Sequence, residues 1–327
     1  MITRRQTLIA LGGALAPLIT FAQQQGKVWR VGYLGPGKAA VASNVEALRT
    51  GLRELGYVDG KNLLIEYRWA EGKAERLPGL AAELVRLNVD LIVTSGGVGA
   101  TAAGLATRRI PIVVAVSGDL VALGLAASLA KPGGNVTGQI YFAEALQAKW
   151  LELLKETLPG LTRVAVLRPP ANSANSATKL ATDTITATAK HLKLDIPFFT
   201  VQEVTDFEGA FASMVKQRAG AVLVSDNALL NFNVKTSADI VLRHRLPSSG
   251  ILAFAEAGGM LGYGVNFAEM FRRAAALVDK IFRGTKPGDI PIEQATKFEL
   301  IVNMKTAKTL GIKVPQSILV QATTVIE

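Results

Sequence analysis

The chain has 327 residues, of which 49% are hydrophobic and none is cysteine, and its formal net charge is +10. The lack of cysteine excludes disulfide bonds, iron–sulfur clusters, thiol nucleophiles and the acylated cysteine that anchors a bacterial lipoprotein. The positive charge lies in scattered arginine pairs, without the basic runs interleaved with aromatic residues that are typical of nucleic-acid binding, so no nucleic-acid partner is expected.

The first 22 residues predict a secretory signal. Arg4 and Arg5 precede an apolar stretch of about 15 residues, which is shorter than the roughly 20 that a transmembrane helix needs. Small residues at Thr20 and Ala22 suit cleavage. Residues 3–8 also resemble a twin-arginine signal, and the sequence leaves the general and the twin-arginine export routes both open. We therefore expect a periplasmic protein.

Predicted strands and helices alternate along the rest of the chain. In the first half, strands are predicted at 28–34, 62–68, 89–94 and 110–116, with helices at 43–55, 74–86 and 98–107. After a turn-rich break at 132–138, a helix at 144–157 leads into the second half. There, strands at 163–168, 195–200, 221–225 and 250–254 alternate with helices at 175–192, 206–217 and 233–244. This βαβ pattern predicts two parallel sheets, each flanked by helices.

The segment after residue 266 exceeds what a second α/β unit needs. It contains a predicted helix at 267–283, a strand at 297–303 and a helix at 306–310. A chain that crosses between two lobes more than once would account for these elements and would create a hinge of several strands. Two domains are also the default for roughly 300 residues, because single cores stop growing near that size.

Ligands of open α/β sheets bind at the carboxyl ends of the strands, where loops and helix N-termini expose N–H groups. Small or polar residues follow four of the predicted strands, and both halves contain such an end. We therefore expect the two sets to face each other across a cleft. The candidate ligand-binding residues are Gly35, Ser95, Gly96, Ser117, Gly118, Asp119, Tyr141, Asn172, Asp226 and Asn227.

A second hypothesis concerns the glycine-rich turn. Gly97-Val-Gly99-Ala-Thr-Ala102, with Asp119 about twenty residues later, resembles a dinucleotide-binding fingerprint. It opens the third βα unit rather than the first, so an exported NAD(P)-dependent oxidoreductase is the alternative. Both histidines, His191 and His244, fall near predicted helix ends, and no metal-ligand spacing occurs. The first hypothesis therefore includes no catalytic residue, metal or cofactor.

Long stretches of the sequence resemble one known family. They include GLRELGYVDGKN at 51–62, LAKPGGNVTG at 129–138 and GGMLGYGVN at 258–266, with further matches at 65–72, 272–276 and 296–308. These stretches resemble ABC-transporter solute-binding proteins of the tryptophan/tyrosine-uptake type, which have the type I periplasmic-binding fold. The triplet Ser225-Asp226-Asn227 is similar to the Thr-Asp-Asn triplet of the tryptophan-type members.

The resemblance implies two Rossmann-like lobes joined by three crossovers, near 138–143, 263–267 and 297–303. Lobe 1 would comprise 28–140 plus 267–296, and lobe 2 would comprise 141–266 plus 297–327. It also implies delivery of the ligand by a monomer to an ABC permease and ATPase complex in the inner membrane.

The resemblance also implies one small ligand in the cleft, an amino acid or a related small acid. Ser95, Gly96 and Ser117 would donate to its carboxylate, and Asp226 or Asp119 would bind its ammonium; helix capping is the alternative role for these residues. The chain departs from the usual family pattern at 94–97, Leu120 and Arg168, which leaves the ligand's identity open.

Overall fold

The computed structural model describes residues 27–35, 37–170 and 176–327. The predicted signal and the candidate residue Asn172 lie outside the described residues. Thirteen strands are described: β1 (Trp29–Gly35), β2 (Leu63–Trp69), β3 (Leu91–Thr94), β4 (Ile112–Ser117), β5 (Val136–Ile140), β6 (Val164–Arg168), β7 (Phe198–Thr200), β8 (Ala221–Val224), β9 (Ser248–Gly250), β10 (Leu261–Gly264), β11 (Glu293–Gln294), β12 (Glu299–Asn303) and β13 (Thr324–Ile326).

The α-helices of the described segments lie between these strands. They are α1 (Lys38–Glu54), α2 (Leu77–Arg86), α3 (Gly96–Ala106), α4 (Ala143–Thr157), α5 (Ser176–His191), α6 (Asp206–Lys216), α7 (Ala228–Phe232), α8 (Val234–Arg243), α9 (Leu252–Glu256), α10 (Phe267–Phe282), α11 (Met304–Leu310) and α12 (Gln316–Gln321). Within residues 27–35, 37–170 and 176–327, none is both long and apolar enough to cross a bilayer.

The strands form two sheets, one in each lobe. The first sheet has the order β11-β5-β4-β3-β1-β2, and the second has the order β13-β12-β10-β9-β8-β6-β7. All strand pairs of the first sheet are parallel. The second sheet is parallel except where β12 runs antiparallel to β10. The predicted α/β fold of two parallel-dominated sheets with flanking helices is confirmed.

The chain passes between the sheets three times, as predicted. The passages lie between β5 and β6, between β10 and β11, and between β11 and β12. The third passage spans 295–298 and so lies ahead of most of the predicted crossover at 297–303. Most of that segment is instead β12, which is paired along its length within the second sheet.

Burial explains why the central strands form where they do. Every residue of β3, β4 and β8 is buried, which is typical of parallel strands that have helices on both faces. Helix α10 buries Phe271, Ala274 and Val278 on one side and returns from the second sheet to pack against α1. Gly51 of α1 permits this contact, because a Cβ there would lie 2.5 Å from the carbonyl oxygen of Arg272.

Two further sequence predictions were wrong. The turn-rich break at 132–138 contains the start of β5, an inner strand of the first sheet. Gly138 allows β5 to approach β4, since any Cβ there would overlap the carbonyl of Val114. The predicted strand at 250–254 ends at Gly250, and α9 follows it. Gly259, which has no Cβ, leaves room for the ring of Phe254, one of the two buried residues of this helix.

Candidate functional site

The carboxyl ends of five neighbouring strands build one wall of the site. Tyr33 of β1 pairs in register with Tyr67 of β2 and Val93 of β3. Side chains alternate along a strand, so Tyr33, Tyr67 and Trp69 share the sheet face that packs against α1 and α10. The same alternation brings Ser95, just after β3, to this face. Ser117 ends β4 beyond a register irregularity that begins after Val114, so the alternation does not extend to it.

Aromatic rings crowd the β2 end of this wall. Trp69 stacks on Tyr67 with ring centroids 5.6 Å apart and lies 5.1 Å from the ring of Tyr33. The ring of Phe271, from α10, lies 6.5 Å from that of Tyr33. Gly35 makes this packing possible, because a Cβ there would be 2.7 Å from Trp69 Cζ3. The predicted site residue Gly35 therefore lies at the aromatic end of the wall.

The middle of the wall contains buried hydroxyl groups that lack partners. Within the described part of the chain, Tyr33 Oη and Ser117 Oγ are buried and have no hydrogen-bond partner. Burial raises the pKa of Tyr33, and the nearby Ser95 side chain lowers it by a smaller amount. The hydroxyl groups of Tyr33 and Ser95 are nevertheless not placed to form a hydrogen bond with each other. A buried polar atom without a partner costs free energy, so these groups are suited to receive a bound polar group or water.

The β5 end of the wall contacts the second lobe through an acid. The Tyr141 hydroxyl donates to Oδ2 of Asp226, the second residue after β8. Asn231 Nδ2 donates to Asp226 Oδ1 at 2.6 Å, and the Tyr141 N–H donates to the Ser117 carbonyl at 3.0 Å. Burial raises the pKa of Asp226, while the hydrogen bonds from Tyr141 and Asn231 lower it less. The structure thus joins Ser117, Tyr141 and Asp226 in one chain of contacts.

The remaining predicted residues lie at the same strand ends but differ in their contacts. Asn227 caps α7, its Oδ1 accepting from the Leu229 N–H at 2.8 Å. Asp119 Oδ1 likewise accepts from the N–H groups of Val121 and Ala122, at 2.8 and 3.1 Å.

Gly96 begins α3 with φ of 73°, and Gly118 has open space where a Cβ would be. Of the predicted set, the side chains of Asp119 and Asn227 therefore already have structural partners in their own turns.

Phe232 closes the aromatic end of the site and was missed by the sequence analysis. It ends α7 in the second lobe, yet its ring packs on two glycines of the first lobe. A Cβ on Gly37 would overlap the ring, and one on Gly72 would be 3.8 Å from it. The sequence signal was the pair of glycines just after β1 and β2, but nothing in the sequence indicated their partner.

The glycine-rich turn serves packing. A Cβ on Gly99 would lie 2.5 Å from Thr94 Oγ1, which donates to the Leu34 carbonyl at 2.9 Å. A Cβ on Gly104 would lie 2.6 Å from Leu125 Cδ2. These glycines let α3 approach β3 and the segment that follows β4.

Comparison with known proteins identifies the family. Residues 37–326 match the model of the ABC transporter substrate binding protein family. The tyrosine-binding protein of Clostridioides difficile (strain R20291) is 26% identical over 266 residues, which cover 80% of this chain and 74% of that protein. The chain belongs to the ABC transporter substrate-binding protein family.

Solved structures show the same fold. An ABC domain from Streptococcus pneumonia in complex with L-Trp has a TM-score of 0.80 at 24% identity, covering 90% of this chain and 100% of that one. A conserved domain protein from Vibrio cholerae has a TM-score of 0.83 at 24% identity, with 91% and 100% covered. The fold is that of the type I periplasmic-binding proteins, as predicted.

Family membership also decides between the two functional hypotheses. The protein is a solute-binding component of an ABC transporter and not an enzyme. The oxidoreductase alternative is not supported, in keeping with the packing role of Gly99 and Gly104. Binding proteins of ABC importers are typically extracytoplasmic, and their partners are a small molecule and the transporter.

Proposed function

We propose that this protein captures an α-amino acid with an aromatic side chain in the cleft between its lobes. The observation that carries the proposal is the change of chemistry along the cleft. Rings of Tyr33, Tyr67 and Trp69 lie at one end, and the carboxyl group of Asp226 lies at the other. A ligand with a ring and an ammonium group matches both ends.

The contacts suggest how such a ligand lies in the site. Its ring packs near Trp69, where aromatic contacts are worth about 0.5–1.5 kcal/mol beyond the buried area. Its ammonium replaces the Tyr141 hydroxyl on Asp226 and forms a charge-assisted hydrogen bond. Ser95, Gly96 and the unpartnered Ser117 hydroxyl donate to its carboxylate. The names of two similar proteins support this choice, since one binds tyrosine and one was solved with L-Trp.

Ligand capture rests on movement of the two lobes about the three passages. We take lobe 1 as 28–140 plus 267–296 and lobe 2 as 141–266 plus 297–327. The contact of Phe232 with Gly37 joins the lobes, and Tyr141, at the lobe boundary directly after β5, joins the end of the first sheet to Asp226. Both contacts belong to the closed form. A ligand held by both lobes favours that form by its differential affinity for it.

The setting of the protein follows from the same proposal. Residues 1–22 act as a cleaved export signal, and the mature chain works in the periplasm as a monomer. It delivers its ligand to the permease and ATPase complex in the inner membrane.

A thermal-shift screen tests the proposed ligand class. The mature protein is refolded to remove bound ligand and is then mixed with each amino acid in turn. Ligand at about 100 times its Kd adds about 2.7 kcal/mol to the free energy of unfolding, so aromatic amino acids are expected to raise the Tm by several degrees. No shift with any amino acid would contradict the proposal.

A further inference from the structure

A second set of unpartnered donors lies in the second lobe, outside the contacts already described. Ser225 follows β8 and is 6% exposed. Its Oγ and the Nε of Arg168, the last residue of β6, are both buried, and in the described segments neither has a hydrogen-bond partner. Both are at the carboxyl edge of the sheet, which is the edge that faces the cleft in open α/β folds.

The strand register places these two donors side by side. Leu167 of β6 pairs with Val224 of β8, and the Ser225 N–H donates to the Leu167 carbonyl at 3.0 Å. The next positions along the two parallel strands are therefore Arg168 and Ser225. Because side chains alternate, they project from the same face of the sheet.

The guanidinium group of Arg168 is held in place by neutral neighbours. Its Nη1 donates to Thr182 Oγ1 at 2.8 Å, and its Cζ lies 4.0 Å from the ring centroid of Phe198. Neither group balances the positive charge. Burial lowers the pKa of Arg168, which reflects the cost of removing a cation from water. An anion beside Nε would offset that cost and complete its hydrogen bonding.

We infer that Arg168 Nε and Ser225 Oγ form an anion subsite that binds the carboxylate of the ligand from the second lobe. This inference rests on the proposed function and extends it, because the carboxylate is then held between Ser117 of the first lobe and this pair. Asp226, the residue after Ser225, accepts the ammonium of the same zwitterion. A carboxylate that joins donors from both lobes also favours the closed form.

The test compares two probes that differ only in the carboxylate, L-tryptophan and L-tryptophanamide, by calorimetry. Hydrogen bonds to a charged group contribute about 1.5–3 kcal/mol. Arg168→Gln should therefore lower the affinity for L-tryptophan about 10- to 150-fold and leave the affinity for the amide nearly unchanged. Ser225→Ala should act in the same direction with a smaller effect. Arg163→Gln is the matched control, since Arg163 precedes the same strand at its opposite end and pairs with Asp195.

The inference is wrong if Arg168→Gln lowers the affinity for both probes equally or lowers it for neither. A second measurement separates it from the proposed function. If wild type binds no amino acid, the side-chain Nε–H signal of Arg168 is followed by ¹⁵N NMR during a titration with acetate, and Arg168→Lys assigns the signal. A saturable shift that Ser225→Ala reduces supports the subsite without an amino-acid ligand, whereas no shift overturns it.

Discussion

The ring of Phe232 lies against Gly37, so that a residue of the second lobe fills the space where a side chain on the first lobe would be. At the other end of the cleft, Tyr141, at the lobe boundary directly after β5 of the first sheet, donates to Asp226 of the second lobe. The lobes therefore meet at both ends of the proposed site, an aromatic end and an acidic end. The space between these two contacts is where the ligand is expected.

The Phe232 contact gives the first prediction. Gly37→Ala adds a methyl group that overlaps the ring of Phe232, and in the proposed mechanism opening of the lobes relieves this overlap. Overpacking costs about 1–3 kcal/mol, so ligand affinity should fall about 5- to 150-fold, while the Tm of the ligand-free protein changes little. Calorimetry and thermal melts measure the two effects.

Two variants control this experiment. The double variant Gly37→Ala/Phe232→Ala should regain part of the affinity lost in Gly37→Ala. Gly79→Ala, in α2 with open space at its Cβ position, should bind ligand as wild type does. An affinity unchanged by Gly37→Ala would show that this contact does not belong to the ligand-bound form.

Asp226→Asn should separate stability from binding. Burial raises the pKa of Asp226, so the charged carboxylate destabilises the ligand-free fold at neutral pH. The neutral amide should therefore raise the free energy of unfolding. The same substitution should lower the affinity for a ligand with an ammonium group at least about 30-fold, because loss of a buried charge partner costs about 2–5 kcal/mol. Urea unfolding and calorimetry at pH 7 test both effects; a less stable variant with unchanged affinity would contradict them.

The affinity for an amino acid should also depend on pH. The ligand's ammonium binds the ionised form of Asp226, and in the ligand-free protein this carboxyl holds its proton to a higher pH than usual. Binding therefore releases a proton below the raised pKa. Affinity should be full above that pKa and fall as the pH drops through it, with a midpoint above the ordinary aspartate value of about 3.9. Calorimetry across this range, with Asp226→Asn as the pH-independent control, measures it; stronger binding at low pH would contradict the role of Asp226.

The glycines of α3 give a prediction about stability. Gly99→Ala would push a methyl group into Thr94 Oγ1, at an overpacking cost of about 1–3 kcal/mol that outweighs the helix-propensity gain of about 1 kcal/mol. Urea unfolding should therefore show lower stability. Gly209→Ala, in α6 with open space around it, should be neutral or stabilising. Equal effects at the two sites would mean that Gly99 does not serve packing.

Much of the fold could be predicted from the sequence, because burial repeats with a regular period in most elements. The buried strands β3, β4 and β8 are short apolar runs. Strand β5 could not be found in this way, because its approach to β4 needs Gly138, a residue that otherwise indicates a turn. Likewise, α9 is built from residues that suit a buried strand or helix equally well.

The candidate site was predictable only as a set of strand ends. The topology rule correctly placed Ser117 and Asp226 at carboxyl edges, but it could not distinguish a ligand-binding side chain from a cap. Asp119 and Asn227 cap their own turns, whereas Asp226 is held by Tyr141, 85 residues away in the chain. Contacts over such separations depend on how the two lobes meet, which no local pattern encodes.

Small-angle scattering of the mature protein is the most direct test that the lobes close over a ligand bound by Asp226. The ligand-stripped protein is measured alone and with the amino acid that gives the largest thermal shift, for wild type and for Asp226→Ala at the same ligand concentration. The account predicts that the radius of gyration of wild type decreases on ligand addition and that of the variant does not. Equal compaction of both proteins would contradict it, because the ligand would then close the lobes without Asp226.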